Sequence, residues 1–565
     1  MNLQYQVNEN PPTLLSIGLA SQMVLLTIAG IVLTPAIVIQ AGGGSEGYLE
    51  YAVFAVLIIS GLSTILQARP VWRLGSGHVL MMGTSGAFIA VCISAIEHGG
   101  PFLLGLLVLT SSLVQFAFAA KLSLLRKIFT PTVGGIVLML IPVTVMPIAF
   151  DMMSAVAVEH QSFNAPIVTL ITVLVGVGLG IRAKGLLRLW TPIIGILAGV
   201  CVAIPLGMFD ATKVNAASWI GFPSFNNLEF NFTVDSTFWV LLPSFVFVTI
   251  IGMVETIGDS IAIQRVSQRE LKAPDYRVVQ GAVAADGFGN LLSGLMCVVP
   301  NTTYSSSIAV TELTGVASRR IGIFIGIGFL IAAFVPKLQT LIVSIPTPVM
   351  GGYLFIILGM LFVVGMKMVA RGGLDYRTGL IVGVSIWLGV GFQFQYIFPN
   401  LFVGFWGELF QNGMTVGGLT AIFLTMLWHI TSSRTRKTQT VLNVESLAVL
   451  SEFIEKYSAA WKLPETVQQN LRLANEETLS LLRNQSSEGV RNIQLSFRKE
   501  LNIIALEYLV SANLENIEDK ISILQEAPNE INEDDFSLKI LRHISTQVEH
   551  QKYFDLDIVT VKVKT

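Results

Sequence analysis

Charge is what this 565-residue chain has least of: Asp, Glu, Lys and Arg make up 13% of it, against 53% hydrophobic residues. A soluble globular protein carries roughly 25% charged residues, so a water-facing surface over most of the chain is excluded. Cysteine is nearly absent as well. Cys92, Cys201 and Cys297 lie in apolar segments, too far apart for a disulfide framework or a metal-ligand pattern, and read as small buried hydrophobes. The N-terminus MNLQYQVNENPP lacks a basic region and apolar segments continue to residue 430, so no cleaved signal peptide is expected. No nucleophile–histidine–acid pattern occurs, so a hydrolytic enzyme is not expected, nor is a metal centre or a cofactor.

What the chain does have is apolar length. MVLLTIAGIVLTPAIVI (23–39) and VMGGYLFIILGMLFVVGM (349–366) approach the ~20 residues that cross a bilayer as helix. Fourteen apolar segments are counted, in two groups of seven. The first group lies near 13–36, 50–67, 78–95, 101–120, 128–150, 165–182 and 190–208. The second lies near 237–264, 277–296, 300–314, 320–335, 349–370, 378–394 and 414–430. With the N-terminus inside, twenty Lys and Arg fall in inner loops or flanks, and only Lys213 and Lys337 fall outside. That is the positive-inside pattern, which one miscounted span would scramble. The expectation is an all-α polytopic protein of the inner or plasma membrane, with both termini cytoplasmic. Residues 1–12 form a short N-terminus and 13–431 the membrane domain.

The two halves of that domain, 13–208 and 237–431, echo each other. TPTVGGIVLMLI (130–141) matches TPVMGGYLFIIL (347–358), and MMGTSGAFIAV (81–91) aligns with VPNTTYSSSIAV (299–310) at nearly the same offset. Seven is odd, so a duplicated half enters the membrane upside down: a 7+7 inverted repeat, whose sites lie at mid-membrane on interrupted helices. The third and tenth spans are the interrupted ones. Each runs from a short extended piece into small polar residues and then a short apolar piece. Such backbone is tolerated at membrane depth only where protein or a wet cavity satisfies it. Two extended segments are expected to meet at mid-bilayer, each feeding a half-helix whose N-terminal amides favour an electron-rich group. Ser85 or Thr84 would cap the first, and Ser305, Ser306 or Ser307 the second. A single serine there reads as packing between helices; six consecutive hydroxyl residues after Pro300-Asn301 read as a ligand site.

Acids in the membrane are the second signal. GMVETIGDSIAIQ (252–264) puts Glu255 and Asp259 four apart, on one helix face, and AADGFGN (284–290) adds Asp286. A carboxylate there costs about 3 kcal/mol or more and is a functional residue by default. For Asp259 and Asp286 a structural hydrogen bond to backbone is an equal reading. Glu255 has no basic residue in its span, which suits hydrogen bonding to a substrate's N–H groups and proton coupling.

VETIGD in the eighth span, ADG in the ninth, PNTTY…TGVASR through the tenth and IPTPVMGG in the twelfth resemble the nucleobase–ascorbate transporter family, the second type of nucleobase:cation symporter. The resemblance covers roughly residues 12–435. It implies fourteen spans divided into a core domain (spans 1–4 and 8–11) and a gate domain (5–7 and 12–14), often dimeric. It further implies a proton- or sodium-coupled symporter of a nucleobase or purine-like heterocycle such as xanthine or urate, working by alternating access. Glu255 matches the substrate-binding carboxylate. Ser85, Gly86, Ser306 and Ser307 match the substrate-contacting half-helix starts, and Asp259 and Asp286 match supporting and proton-coupling residues. Three departures stand out. The family's Gln or Glu followed by Asn and Gly is replaced by the run Ser306, Ser307, Ile308, Ala309. Its Gln-His in the first span becomes Gln22-Met23, with Gln22 retained as a supporting residue. Its Ser-Phe-Ala-Phe becomes SGAF, which enlarges the pocket. Two further readings stay open: a ligand sensor reporting to the tail, and an anion transporter of the related sulfate-carrier architecture.

After a basic stretch read as a linker, 432–440, the chain turns acidic. Residues 440–565 hold 20 Asp and Glu against 13 Lys and Arg. Residues 441–565 are expected to form a small cytoplasmic α+β domain, helical over 444–484 and with strands in NIQLSFRKELNIIALEYLV and LDIVTVKVK. LRLANEETLSLL resembles the metal-ligating box of the kinase ATPase fold seen in anti-sigma-factor kinases and histidine kinases. Glu476 matches the box acid, but Ser480 replaces the Asn, and SANLENIEDK (511–520) offers no glycines. ATP hydrolysis is therefore not expected, and a regulatory partner is. His543 and His550, seven apart, read as surface histidines on a helix. The expected partners are a small heterocycle, membrane lipid and a second copy of the chain, with no nucleic acid.

Overall fold

The computed structural model describes residues 3–122, 130–154, 163–222, 236–269, 272–279, 280–371, 373–398, 410, 412–432, 434–443, 445–484, 491–499, 503–510, 517, 533–554 and 556–565. They form two units, residues 1–267 with 280–425, and residues 268–279 with 426–565.

The first unit is helical because its apolar runs are long and rich in Leu, Ile, Val and Ala. Its elements are α1 (Thr13–Ala41), α2 (Glu46–Ala68), β1 (Met81–Thr84), α3 (Ile89–Ala120), α4 (Pro131–Ser154), α5 (Asn164–Arg182), α6 (Leu186–Ala203) and α7 (Ala211–Ala216). They continue with α8 (Ser236–Val266), α9 (Tyr276–Leu295), β2 (Asn301–Tyr304), α10 (Ser306–Thr314), α11 (Arg319–Ala333), α12 (Pro336–Val343), α13 (Thr347–Arg371), α14 (Tyr376–Gln393) and α15 (Gly413–Ser432). Seven of the described helices, α1 to α5, α8 and α13, are long and apolar enough to cross a membrane, and α11 with α12 makes an eighth if the bent pair is one span. α3 is broken at Gly100, whose φ of 67° starts a second stretch at Pro101, as the separate segments 78–95 and 101–120 anticipate.

The helices pack in two groups. One gathers α1, α2, α3, α8 and α11; the other gathers α4, α5, α6, α13, α14 and α15. Within each group a close crossing is made where glycine faces glycine. A Cβ on Gly61 of α2 would come within 2.8 Å of the Gly326 carbonyl of α11, and one on Gly135 of α4 within 2.6 Å of the Gly365 carbonyl of α13. Apolar side chains gain little from leaving lipid for one another, so close backbone approach supplies the packing energy instead.

The second unit carries a five-stranded antiparallel sheet ordered β3-β4-β5-β7-β6: β3 (Arg434–Val441), β4 (Asn492–Lys499), β5 (Ile503–Val510), β6 (Gln547–Lys552) and β7 (Asp557–Lys564). Helices α16 (Ser446–Ala460), α17 (Glu465–Asn484) and α18 (Glu533–Ile544) share a core with it. Alternate residues Leu495, Phe497, Leu506, Tyr508, Val559 and Val561 face the helices, and Trp461 stacks on Phe497 at 4.7 Å. Two expectations are corrected here. The stretch 432–440 is not a linker, since 434–441 is edge strand β3 in register with β4, its Thr and Val residues serving a pleated ladder. His550 is on strand β6, fully buried, accepting from the Ile517 N–H at 3.0 Å and lying 3.8 Å from the Asp557 carboxylate; only His543 is helical. Most of SANLENIEDK lies outside the described residues. Within this same unit, Tyr276 packs its ring 5.1 Å from that of Tyr553 and accepts a hydrogen bond from Gln551 at 3.3 Å.

Candidate functional site

The site is built around a ribbon of eight residues. β1 and β2 run antiparallel from Met81 opposite Tyr304 to Thr84 opposite Asn301, and the Ser85 N–H continues the ladder to the Pro300 carbonyl at 3.0 Å. The two extended segments therefore do meet, as the strands MMGT and NTTY. Gly83 is required there: a Cβ would sit 2.6 Å from the Tyr304 ring. A two-stranded ribbon leaves unpaired amides along both edges, and away from water these need partners. The Met82 N–H is taken by Thr64 Oγ1 of α2 at 3.0 Å, and the Asn301 N–H by Asn290 Oδ1 of α9 at 2.7 Å.

Beyond each strand the chain turns helical, a short 3-10 turn at Gly86–Phe88 leading into α3, and α10 after Ser305. The serines occupy the N-cap positions, but the expected capping bonds are absent: neither the Ser85 nor the Ser305 side chain bonds an amide of its helix. Ser305 Oγ donates instead to Asp259 at 2.7 Å, and Ser307 Oγ to the Tyr304 carbonyl at 2.8 Å. Among the described residues the buried Ser306 hydroxyl has no hydrogen-bond partner, and nothing lies within 4 Å of where Gly86 would carry a Cβ.

The acids converge on this ribbon from α8 and α9. Asp259, 8% exposed, accepts from Ser305 and from Thr303 Oγ1 at 2.8 Å. Asp286, 1% exposed, accepts from Thr256 Oγ1 of α8 and from Gln115 Nε2 of α3, each at 2.9 Å. Glu255, one helical turn before Asp259, stays partly accessible and accepts no hydrogen bond from any described residue; its charged neighbours are Asp259 and Asp286. Both aspartates are thus held by side-chain donors, while Glu255 is left for something else. Gln22 on α1 joins none of these bonds.

Gln115, Asn290 and Thr256 were not singled out from sequence, and Thr303 only as one of the hydroxyl run. Asn290 is four residues after Asp286, on its face of α9, and Gln115 is a lone amide in an apolar run, so both carried a signal. In the tail, Glu476 is half-exposed and bonded to Arg472 at 3.2 Å, while the neighbouring Asn475 is committed to Tyr508 and Ser451. Those bonds all lie within the second unit.

Over residues 15–397 the chain matches the family described as Permease family, Xan_ur_permease. It belongs to that family, the nucleobase–ascorbate transporters. The permease is 28% identical over 446 residues to xanthine permease XanP of Escherichia coli strain K12, covering 75% of this chain and 94% of XanP. It is 30% identical over 432 residues to uric acid permease PucK of Bacillus subtilis strain 168, covering 74% and 95%. A provisionally named purine permease of Clostridium perfringens is 31% identical over 429 residues, covering 75% and 92%. Among solved structures, the permease shares its fold with the murine anion transporter Slc26a9, at a TM-score of 0.51 and 11% identity, over 76% of this chain and 71% of that one. It is therefore a multi-pass membrane transporter of nucleobase type and not an enzyme. The tail lies beyond the family match.

Proposed function

We propose that the permease imports a purine of the xanthine or urate type together with H⁺ or Na⁺, by alternating access between its two helix groups acting as core and gate. In this reading fourteen spans form a 7+7 inverted repeat, both termini are cytoplasmic, and the chain pairs with a second copy in lipid. The single observation that carries the substrate assignment is Glu255. A partly accessible carboxylate with no hydrogen-bond donor among the described residues, beside two aspartates that each already accept two side-chain hydrogen bonds, is matched by the N–H edge of an oxopurine. Ser306, in place of a longer amide or acid, contributes one short hydroxyl and leaves volume for a substituted ring. Family membership and the xanthine and uric acid permeases among its relatives support the same class. The tail is given a regulatory role, with neither nucleotide nor cofactor.

The test is uptake of radiolabelled xanthine, hypoxanthine, urate, guanine, adenine and uracil into cells expressing the intact chain or Glu255→Gln. Saturable uptake of an oxopurine that Glu255→Gln abolishes, at equal membrane insertion, is the expected result. Uptake of none of the six would shift the assignment to a ligand sensor or to an anion carrier.

A further inference from the structure

Amide side chains look alike end for end, and their orientation is normally set by choosing the better hydrogen-bond network. Here one end of the network cannot be turned. The Asn301 N–H is a backbone group and can only donate; it meets Asn290 Oδ1 at 2.7 Å. The other end of that amide, Nδ2, then faces Gln115 Oε1 at 2.9 Å. Gln115 in turn must present Nε2 to Asp286 Oδ2, at 2.9 Å. A strand amide of the substrate ribbon thereby dictates, through two side chains, which atom is shown to the carboxylate of α9. Gln115 is 1% exposed and Asn290 4%, so water does not compete for these bonds.

The result at Asp286 is asymmetric. Oδ2 receives both Gln115 and Thr256, while Oδ1 is buried with no hydrogen-bond partner among the described residues. The acids facing Asp286 are Asp259 and Glu255 of α8; the groups bonded to it, Gln115 of α3 and Thr256 of α8, are neutral. We propose that Gln115 is the positioning residue of the proton-coupling carboxylate: it fixes Oδ2 as a permanent acceptor and leaves Oδ1 as the oxygen that gains and loses the proton. The part concerning transport rests on the symport reading above; the part concerning Asp286 does not. Because the relay begins at β2, a shift of the ribbon when substrate enters or leaves withdraws Asn290 and loosens Gln115. That ties occupancy of the site to the state of Asp286.

The experiment uses the full chain in nanodiscs and in cells, with Gln115→Met, which keeps length and removes the donor, and Asn290→Leu, which breaks the relay one link away. Infrared difference spectra across a pH titration report the Asp286 carboxyl band, assigned by its loss in Asp286→Asn. Purine uptake against pH reports coupling. Both variants are expected to move that band, and Gln115→Met to displace the pH midpoint of uptake by about one unit, comparable to a hydrogen bond to a charged group. KM should stay within about twofold, since neither side chain is placed on the substrate. An unmoved band and an unmoved midpoint in folded Gln115→Met would overturn the proposal. Should that variant fail to fold, an unmoved band in Asn290→Leu does the same. If the wild-type chain moves no purine while the band moves in the variants, the symport reading falls and the positioning role stands.

Discussion

Thr303 shows how closely this site is built from single hydrogens. Its one hydroxyl proton goes to Asp259 Oδ2 at 2.8 Å, and Thr256 spends its own on Asp286, so the 3.4 Å contact between the two threonines carries none. Thr303→Val keeps the shape and removes the donor. Uptake is expected to fall about tenfold, the scale of one hydrogen bond to a charged group, whereas Thr303→Ser should retain most of it; initial rates at equal surface expression decide. The sequence made the acids legible because ionisable residues are rare at membrane depth. It left their donors hidden, since threonine, glutamine and asparagine in a helix are equally good as packing residues until a partner from another element is known. Ser305 shows the same limit: its position at a helix start was readable, but its allegiance to Asp259 over the helix amides was not.

Among the elements, helix placement was legible from apolar length, and the short ribbon from polarity interrupting it. Which helix crosses which was not, because contact in a lipid-facing bundle is specified by small residues scattered through every span. Their effect can be tested in pairs. A Cβ at Gly61 would press on the Gly326 carbonyl, a backbone atom that cannot rotate away, while one at Gly178 of α5 meets nothing within 4 Å. Gly61→Ala is expected to destabilise by about 1–3 kcal/mol, as overpacking does, and Gly178→Ala to be neutral. The midpoint of heat-induced loss of the monodisperse peak in detergent compares them.

For the whole molecule, the place where the tail begins matters to any truncation. Residues 432–440 were read as a basic linker; in the sheet 434–441 is an edge strand, where the charges of Arg436 and Lys437 discourage further pairing. A chain ending at 440 keeps β3 without its partner and should aggregate, and one ending at 432 should not, as size-exclusion profiles would show. Either truncation also removes Tyr553 and Gln551 from Tyr276. Trypsin cleavage at Arg269 and Lys272 is therefore expected to speed up several-fold relative to the intact chain, since opening of a segment follows the contacts it loses. Equal cleavage rates would show that the tail does not hold that segment.

The ribbon also sets a clock on biosynthesis. Met81 cannot find Tyr304 until about 220 further residues have been made, which at about 5–20 residues per second takes roughly 10–45 s. Throughout that interval the amides of β1 have no second strand, and lipid offers them none. The newborn β1 must therefore wait in a wet or proteinaceous shelter, and the ribbon closes only when β2 arrives.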